Sequence, residues 1–364
     1  METIFMTNTN NEKALLPKLK NQGFIRGIYV DSDIDLNKKT KAGDTYAGGW
    51  VRVKVGESLI EVRLFQMMKV KNYKSPAREE IISPNYTGLS TFKSKYHSVV
   101  ECSKKLDKLK SSGLSDEEAM QQAEQAGYTP VVIEVGGISL DVYDKPDENG
   151  NIGDTQYRNV NGQYVRAAKD QSAEHVANFT LEAVYQSSRV ETTFQDGEPL
   201  ETDRTIINVL LVDDYKGIAK KTTVIAPAHN GMIAYDYLSD AFTGGEVIRL
   251  IGNLVNSKEE TVEEIEVGFG QKQTKKKTKY VNEWQAVSLS APYVEERYEI
   301  APEVLVEAQS KYLAECQVSA SAKKQAPNNA GVPAPAFGVG ANPAPKTDTG
   351  GGLTPEMAKS MLGF

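Results

Sequence analysis

With 364 residues, 25% of them charged and 40% hydrophobic, the chain has room for two domains plus tails and the balance of a soluble globular protein. Its formal net charge of −7 excludes a polycation, so any attraction to nucleic acid has to be local. Cys102 and Cys316 are the only cysteines and neither has a metal-spaced neighbour; this argues against a zinc site or a disulfide framework and fits a reducing cytoplasm.

Residues 1–22 read as a polar N-terminal arm, without the basic-then-apolar order of a signal peptide. No run of about 18 apolar residues follows anywhere, so no membrane span is expected. Gly23–Asp31 reads as a strand that ends in the turn DSDID, and Lys38–Gly49 as a loop. Ala47–Tyr73 then splits with period two into two faces. Val51, Val53 and Val55 alternate with Trp50, Arg52 and Lys54. After Gly56, the residues Ile60, Val62, Leu64, Met68 and Val70 alternate with Glu61, Arg63, Phe65, Lys69 and Lys71, and Tyr73 follows. One face is a β core. The other mixes flat rings with cations, the combination that stacks bases and neutralises phosphates of an unpaired strand; the plainer alternative is a solvated face with an aromatic that covers a neighbouring loop.

Residues 91–126 turn helical. Val99, Val100, Leu106 and Leu109 form a stripe, Gly113 breaks it, and Ser115 to Glu118 has the form of a capping box. Val131–Tyr143 returns to strand, and Asp144–Asp154 is rich in turn residues.

The second half repeats this order. Strands are predicted at Phe179–Tyr185, Thr205–Val212 and Thr222–Ala226, a short helix at Met232–Phe242, and strands at Glu246–Asn256, Glu263–Phe269 and Val281–Leu289. Val132–Asp141 and Val247–Asn256 share the pattern V-I-x-Φ-x-G-x-x-Φ-[D/N], with Φ an aliphatic residue, and a glycine inside a strand marks a bulge or bend. Three strands, a helix and two strands are the order of a five-stranded Greek-key barrel of the OB type. The predicted fold is therefore mainly β with inserted helices: a first OB-like barrel over 23–170, a second over 171–318, and a single sandwich as the alternative. Pro302–Cys316 reads as a helix closing the second barrel, with Val304, Leu305, Ala308, Tyr312 and Leu313 in one stripe.

Residues 319–352 are Ala, Pro, Gly and Asn with almost no large apolar side chain, the composition of a disordered tether. In 353–364, Thr354 suits an N-cap and Met357, Met361, Leu362 and Phe364 form an apolar edge, the layout of a peptide that docks on a partner.

The second basic feature is Gln271–Lys279. Lys272, Lys275, Lys276, Lys277 and Lys279 would lie in the loop between strands four and five of the second barrel, followed by Tyr280 and Trp284, where OB folds meet oligonucleotides. The alternative is a solvated hairpin tip. Lysines contact phosphate without reading sequence. Catalytic patterns are absent: there is no phosphate-binding glycine loop, no HExxH and no GxSxG. His97, His175 and His229 are scattered. Asp213-Asp214 reads as a turn at a strand exit rather than a metal site, and neither metal, cofactor nor enzymatic activity is expected.

With strands bearing Trp50, Arg52, Lys54, Arg63 and Phe65, a Pro/Gly-rich tether and an apolar tip at Phe364, the chain resembles the single-stranded DNA-binding proteins of bacteria and their phages, in layout the larger phage replication type. The resemblance implies a cytoplasmic protein that shields unpaired DNA in replication and recombination and recruits enzymes through its tip. The family's tip is acidic before a final Pro-Phe. Here Glu356 is offset by Lys359 and the end is Leu362-Gly363-Phe364, so a helix-in-groove contact replaces the usual one. A virion or tail component built from barrels is the rival reading, and a nuclease using Asp213 and Asp214 a weaker third.

Overall fold

The computed structural model describes residues 16–147, 151–195, 198–265 and 273–325; for 154, 195, 259–265, 273–279 and 319–325 it describes the backbone alone. The first half contains β1 (Asn21–Lys39), β2 (Thr45–Val55) and β3 (Ser58–Met67). A small two-stranded ribbon follows, β4 (Lys69–Lys71) with β5 (Glu80–Ile82). Three helices, α1 (Pro84–Lys95), α2 (Val99–Ser111) and α3 (Asp116–Gln125), precede β6 (Val132–Pro146), β7 (Ile152–Gly162) and β8 (Tyr164–Ala167). The second half has β9 (Val176–Gln195), β10 (Glu198–Asp213), β11 (Ile218–Pro227), α4 (Ala234–Ala241), β12 (Val247–Ile265), β13 (Gln273–Leu289) and α5 (Pro302–Gln325).

Each half closes on itself in the same order. In the first, β1 pairs β2, β2 pairs β3, β3 runs parallel to β7, β7 pairs β6 and β6 returns to β1. In the second, β9, β10, β11, β13 and β12 form the same ring, with β11–β13 as the parallel step. That is the five-stranded Greek-key barrel of the OB type, present twice. Helices enter at the same place in both: α1–α3 before β6, and α4 before β12.

The repeat extends to side chains. Tyr29 on β1 shares a hydrogen bond with Ser32 at 2.5 Å and packs on Phe92 with ring centroids 5.1 Å apart. Tyr185 on β9 bonds Ser188 at 2.9 Å and packs on Phe242 at 4.9 Å. Burial pushes the Tyr29 hydroxyl up to about 12. At the shared glycine, Gly136 and Gly137 sit at a register shift opposite β1, and β12 shifts register at Ile251/Gly252.

The barrels join through an antiparallel ladder between β1 and β9, Asn21↔Leu181 to Arg26↔Val176. Buried carboxylates brace both ends. Glu134 takes Arg26 at 3.1 Å and Arg166 at 2.8 Å, and Glu182 takes Arg249 at 2.8 Å and the Lys20 backbone N–H at 2.9 Å. Burial alone would raise both groups; these partners hold them below the ordinary glutamate value.

Several boundaries differ from the sequence reading. β1 does not stop at a DSDID turn but runs to Lys39, so Lys38–Gly49 is a β1–β2 hairpin in which only Thr40–Asp44 turns. Residues 91–126 hold α2, α3 and the end of α1; the capping box at Ser115 and Glu118 is present, with another at Ser98 and Glu101. Asp213 accepts the Lys216 backbone N–H, which fixes a turn. Helix α5 continues past Ser319 to Gln325, into the stretch expected as tether. Residues 1–15 of the arm, 326–352 of the tether and the tip bearing Met357, Met361, Leu362 and Phe364 lie outside the described residues.

Candidate nucleic-acid interface

Val51, Val53, Ile60, Val62 and Leu64 are buried inside the first barrel. Strand alternation therefore turns Trp50, Arg52, Lys54, Glu61, Arg63 and Phe65 to the outer face of β2–β3. In the ladder Trp50 lies opposite Arg63, Arg52 opposite Glu61, Lys54 opposite Leu59 and Gly48 opposite Phe65. Arg52 stands over the Trp50 ring at 4.2 Å and forms an ion pair with Glu61 at 3.0 Å.

Two glycines shape this face. A Cβ on Gly48 would fall 2.7 Å from the Tyr46 ring, so its absence lets that ring lie over the strand, where it packs against Phe65 at 4.9 Å. Phe65 stays 43% exposed above it. A Cβ on Gly49 would fall 1.8 Å from the Asp33 carbonyl oxygen, so only glycine lets β2 pass β1 this closely before Trp50. Trp50 is half-buried, with Asp33 beside it on β1 and Arg63 on β3, and the stretch 38–49 expected as a loop is paired hairpin. Tyr46 is buried and forms the floor on which the exposed Phe65 rests, and the sequence reading passed over it. Its signal was the glycine two residues on, on the same side of the strand.

Lys69, Lys71 and Tyr73 do not continue β3. They lie on and just beyond the β4–β5 ribbon, where Lys69 pairs with Glu80 at 3.7 Å and Tyr73 is 77% exposed beneath Arg78 at 5.7 Å.

The lysine run is placed differently from the expectation. Lys275, Lys276, Lys277 and Lys279 belong to β13 rather than to a loop, with Lys275 opposite Glu263 and Lys279 opposite Glu259 in the β12–β13 ladder. Over 258–265 the partner strand carries Glu259, Glu260, Glu263 and Glu264, so this ribbon is not a one-sign basic arm. Lys272 lies outside the described residues. Tyr280 is 71% exposed. Trp284 is 1% exposed within the core shared by the barrels and cannot stack a base; its position turns it inward, and Arg158 covers the ring at 5.6 Å.

The corresponding face of the second barrel is covered in part, with Lys221 left exposed on it. Leu210 of β10 and Ala219 of β11 are buried under Leu305 and Ala308 of α5, while Ile218, on the opposite side of β11, packs with Tyr312 and Cys316. Arg158 of β7 donates to the Thr223 carbonyl at 3.0 Å and to the Thr223 hydroxyl at 2.6 Å, and Gln156 to the Lys221 carbonyl at 2.7 Å. Val304 is half-buried and Leu313 partly exposed, so the expected apolar stripe on α5 holds at Leu305, Ala308 and Tyr312.

Among the described residues no group of three or more His, Cys, Asp or Glu side chains is arranged to hold a metal, and no helix is long and apolar enough to cross a membrane.

The strand order defines a protein of two fused OB barrels, one with an open face and one with that face partly covered. The chain belongs to the YorF family, whose model matches residues 116–324. No curated protein sequence matches it. Among solved structures it is similar to the wild-type single-stranded DNA binding protein from Thermus aquaticus, at 12% identity and a TM-score of 0.37 over 76% of this chain and 95% of that one. A Replication Protein A heterotrimer bound to ssDNA matches at 8% identity and a TM-score of 0.19, over 65% of this chain and 45% of that one.

Proposed function

We propose that the chain is a non-enzymatic, sequence-tolerant single-stranded DNA-binding protein that protects unpaired DNA in replication or recombination. The observation that carries this reading is the open β2–β3 face of the first barrel, where Phe65 rests on Tyr46 and Trp50 lies between Arg52 and Arg63. Rings for stacking and cations for phosphate sit together at the position where OB barrels meet oligonucleotides. Lys54, and Lys69, Lys71 and Tyr73 on the neighbouring ribbon, extend the surface. Because α5 and β7 cover part of the equivalent face of the second barrel, the first barrel dominates binding, with Tyr280 and the β12–β13 lysines in a secondary role. The apolar edge of Met357, Met361, Leu362 and Phe364 suits a helix-in-groove contact that recruits replication or recombination proteins.

The test is fluorescence anisotropy of the full chain with labelled oligo-dT, duplex and RNA at two salt concentrations. Affinity for the single strand falls with salt at a log–log slope near −0.7 per phosphate contacted. Each ring removed costs about 1–3 kcal/mol. Unchanged affinity for oligo-dT in Trp50→Ala/Phe65→Ala would overturn the assignment of the face.

A further inference from the structure

Between the barrels lies a cleft of about 150 Å³, walled by β3 and β7 on one side and β12 and β13 on the other. It is small against the roughly 300–1,000 Å³ of sites for drug-sized ligands, and suits one planar ring system. Arg63 lines it and also stands opposite Trp50 in the β2–β3 ladder, so the cleft opens directly off the aromatic face. On the far wall Asn256 and Asn282 are opposite each other in the β12–β13 ladder. Both carboxylates of the lining are engaged: Glu61 by Arg52 at 3.0 Å, Glu283 by Arg204 at 2.5 Å and by Gln285 at 2.9 Å. Arg158 donates to the carbonyls of Asn282 and Thr223, at 2.8 and 3.0 Å. Those bonds lie in the plane of its guanidinium and one face lies over Trp284 at 5.6 Å, so what it offers a ligand is the opposite flat face.

We propose that this cleft is a subsite for a single unstacked nucleobase, held between a guanidinium plane and the two asparagine amides, with its phosphate near Arg63. An amide carries both donors and an acceptor, so a facing pair can meet the polar edge of any base, and single-stranded recognition commonly stacks splayed bases on arginine planes. The inference rests on the reading that the chain binds a single strand. A strand crossing the β2–β3 face toward the second barrel has to pass the mouth of the cleft.

The experiment compares the wild-type full chain with Asn256→Ala/Asn282→Ala and Trp50→Ala/Phe65→Ala on an oligo-dT and on an oligomer of equal length with abasic sites. Asn256→Ala/Asn282→Ala is expected to bind oligo-dT about tenfold more weakly and the abasic oligomer as the wild type does. An equal loss on both oligomers, or no loss on either, overturns the subsite. If only Trp50→Ala/Phe65→Ala loses affinity, the cleft reading falls and the face reading stands. If only the asparagine pair shows the base-dependent loss, the subsite stands and the face reading falls; a wild type that binds no single strand overturns both. The isosteric pair Asn256→Asp/Asn282→Asp guards against misfolding: it keeps the side-chain shape, and it should weaken oligo-dT further because carboxylates only accept hydrogen bonds and repel phosphate.

Discussion

The Arg52 guanidinium is held over the Trp50 ring by Glu61, which accepts Nε at 3.2 Å and Nη2 at 3.0 Å. The acid thus both orients the cation and cancels its charge on the very face a polyanion would approach. Glu61→Gln is therefore expected to raise affinity for oligo-dT a few-fold at low salt and to steepen the log–log salt slope by about 0.7, one more phosphate contact. A titration series from low to moderate salt checks both. An unchanged or weakened affinity would show that the orientation of Arg52 matters more than its charge.

Gly48 and Gly49 separate two kinds of damage. Gly48→Ala drives a methyl into the Tyr46 ring, so the ring must leave Phe65; the expected result is weaker oligo-dT binding with only about 1 kcal/mol of lost stability. Gly49→Ala sets a methyl against the Asp33 carbonyl, which cannot move without breaking the β1–β2 ladder. It should lower the melting temperature by more than Gly48→Ala does, and thermal melts alongside anisotropy distinguish the two.

Ala308 is 3% exposed where α5 meets Leu210 and Ala219. Ala308→Glu buries a carboxylate without a partner there and is expected to lower the melting temperature by several degrees. At a temperature where the variant stays folded, oligo-dT affinity should remain within about twofold of wild type, since additivity holds for distant sites. A large loss would mean that the second barrel takes part in binding beyond the cleft.

Acid should loosen the join between the barrels. Glu134 and Glu182 have folded values below the ordinary glutamate value, because Arg166, Arg26 and Arg249 outweigh the cost of burial. A depressed carboxyl contributes stability that is complete above its unfolded value of about 4.3 and is lost as pH falls through the folded value. Glu182→Gln should therefore melt lower than the wild type at pH 7, and the gap should close as pH drops below about 4. Differential scanning fluorimetry across pH 3–7 tests this, and a gap that persists into acid would contradict it.

Period-two alternation made the first barrel's sheet legible, since Val51, Val53, Ile60, Val62 and Leu64 all point inward and their neighbours outward. The α5 stripe and the capping box at Ser115 were legible for the same reason: local spacing reports local burial. What spacing cannot report is pairing. Asp31, Asp33 and Asp35 look like a turn until Ile34 is found buried between them on a long β1. The lysines of 275–279 have poor strand propensity, and their extended form depends on the partner ladder from β12. Trp284 sits beside lysines in sequence but faces the core, which only the register of β13 decides.

The β1–β9 ladder puts two barrels back to back inside one polypeptide. Two identical subunits joined this way would have to present the same surface twice, because a two-fold axis copies every residue. Fused in tandem, the halves are released from that constraint and their partner is always present, whatever the dilution. One half leaves its aromatic face clear, while the equivalent face of the other carries α5 and the contacts of Arg158 and Gln156. The molecule consequently has a front and a back, and a strand bound as proposed would meet a direction rather than a symmetric saddle.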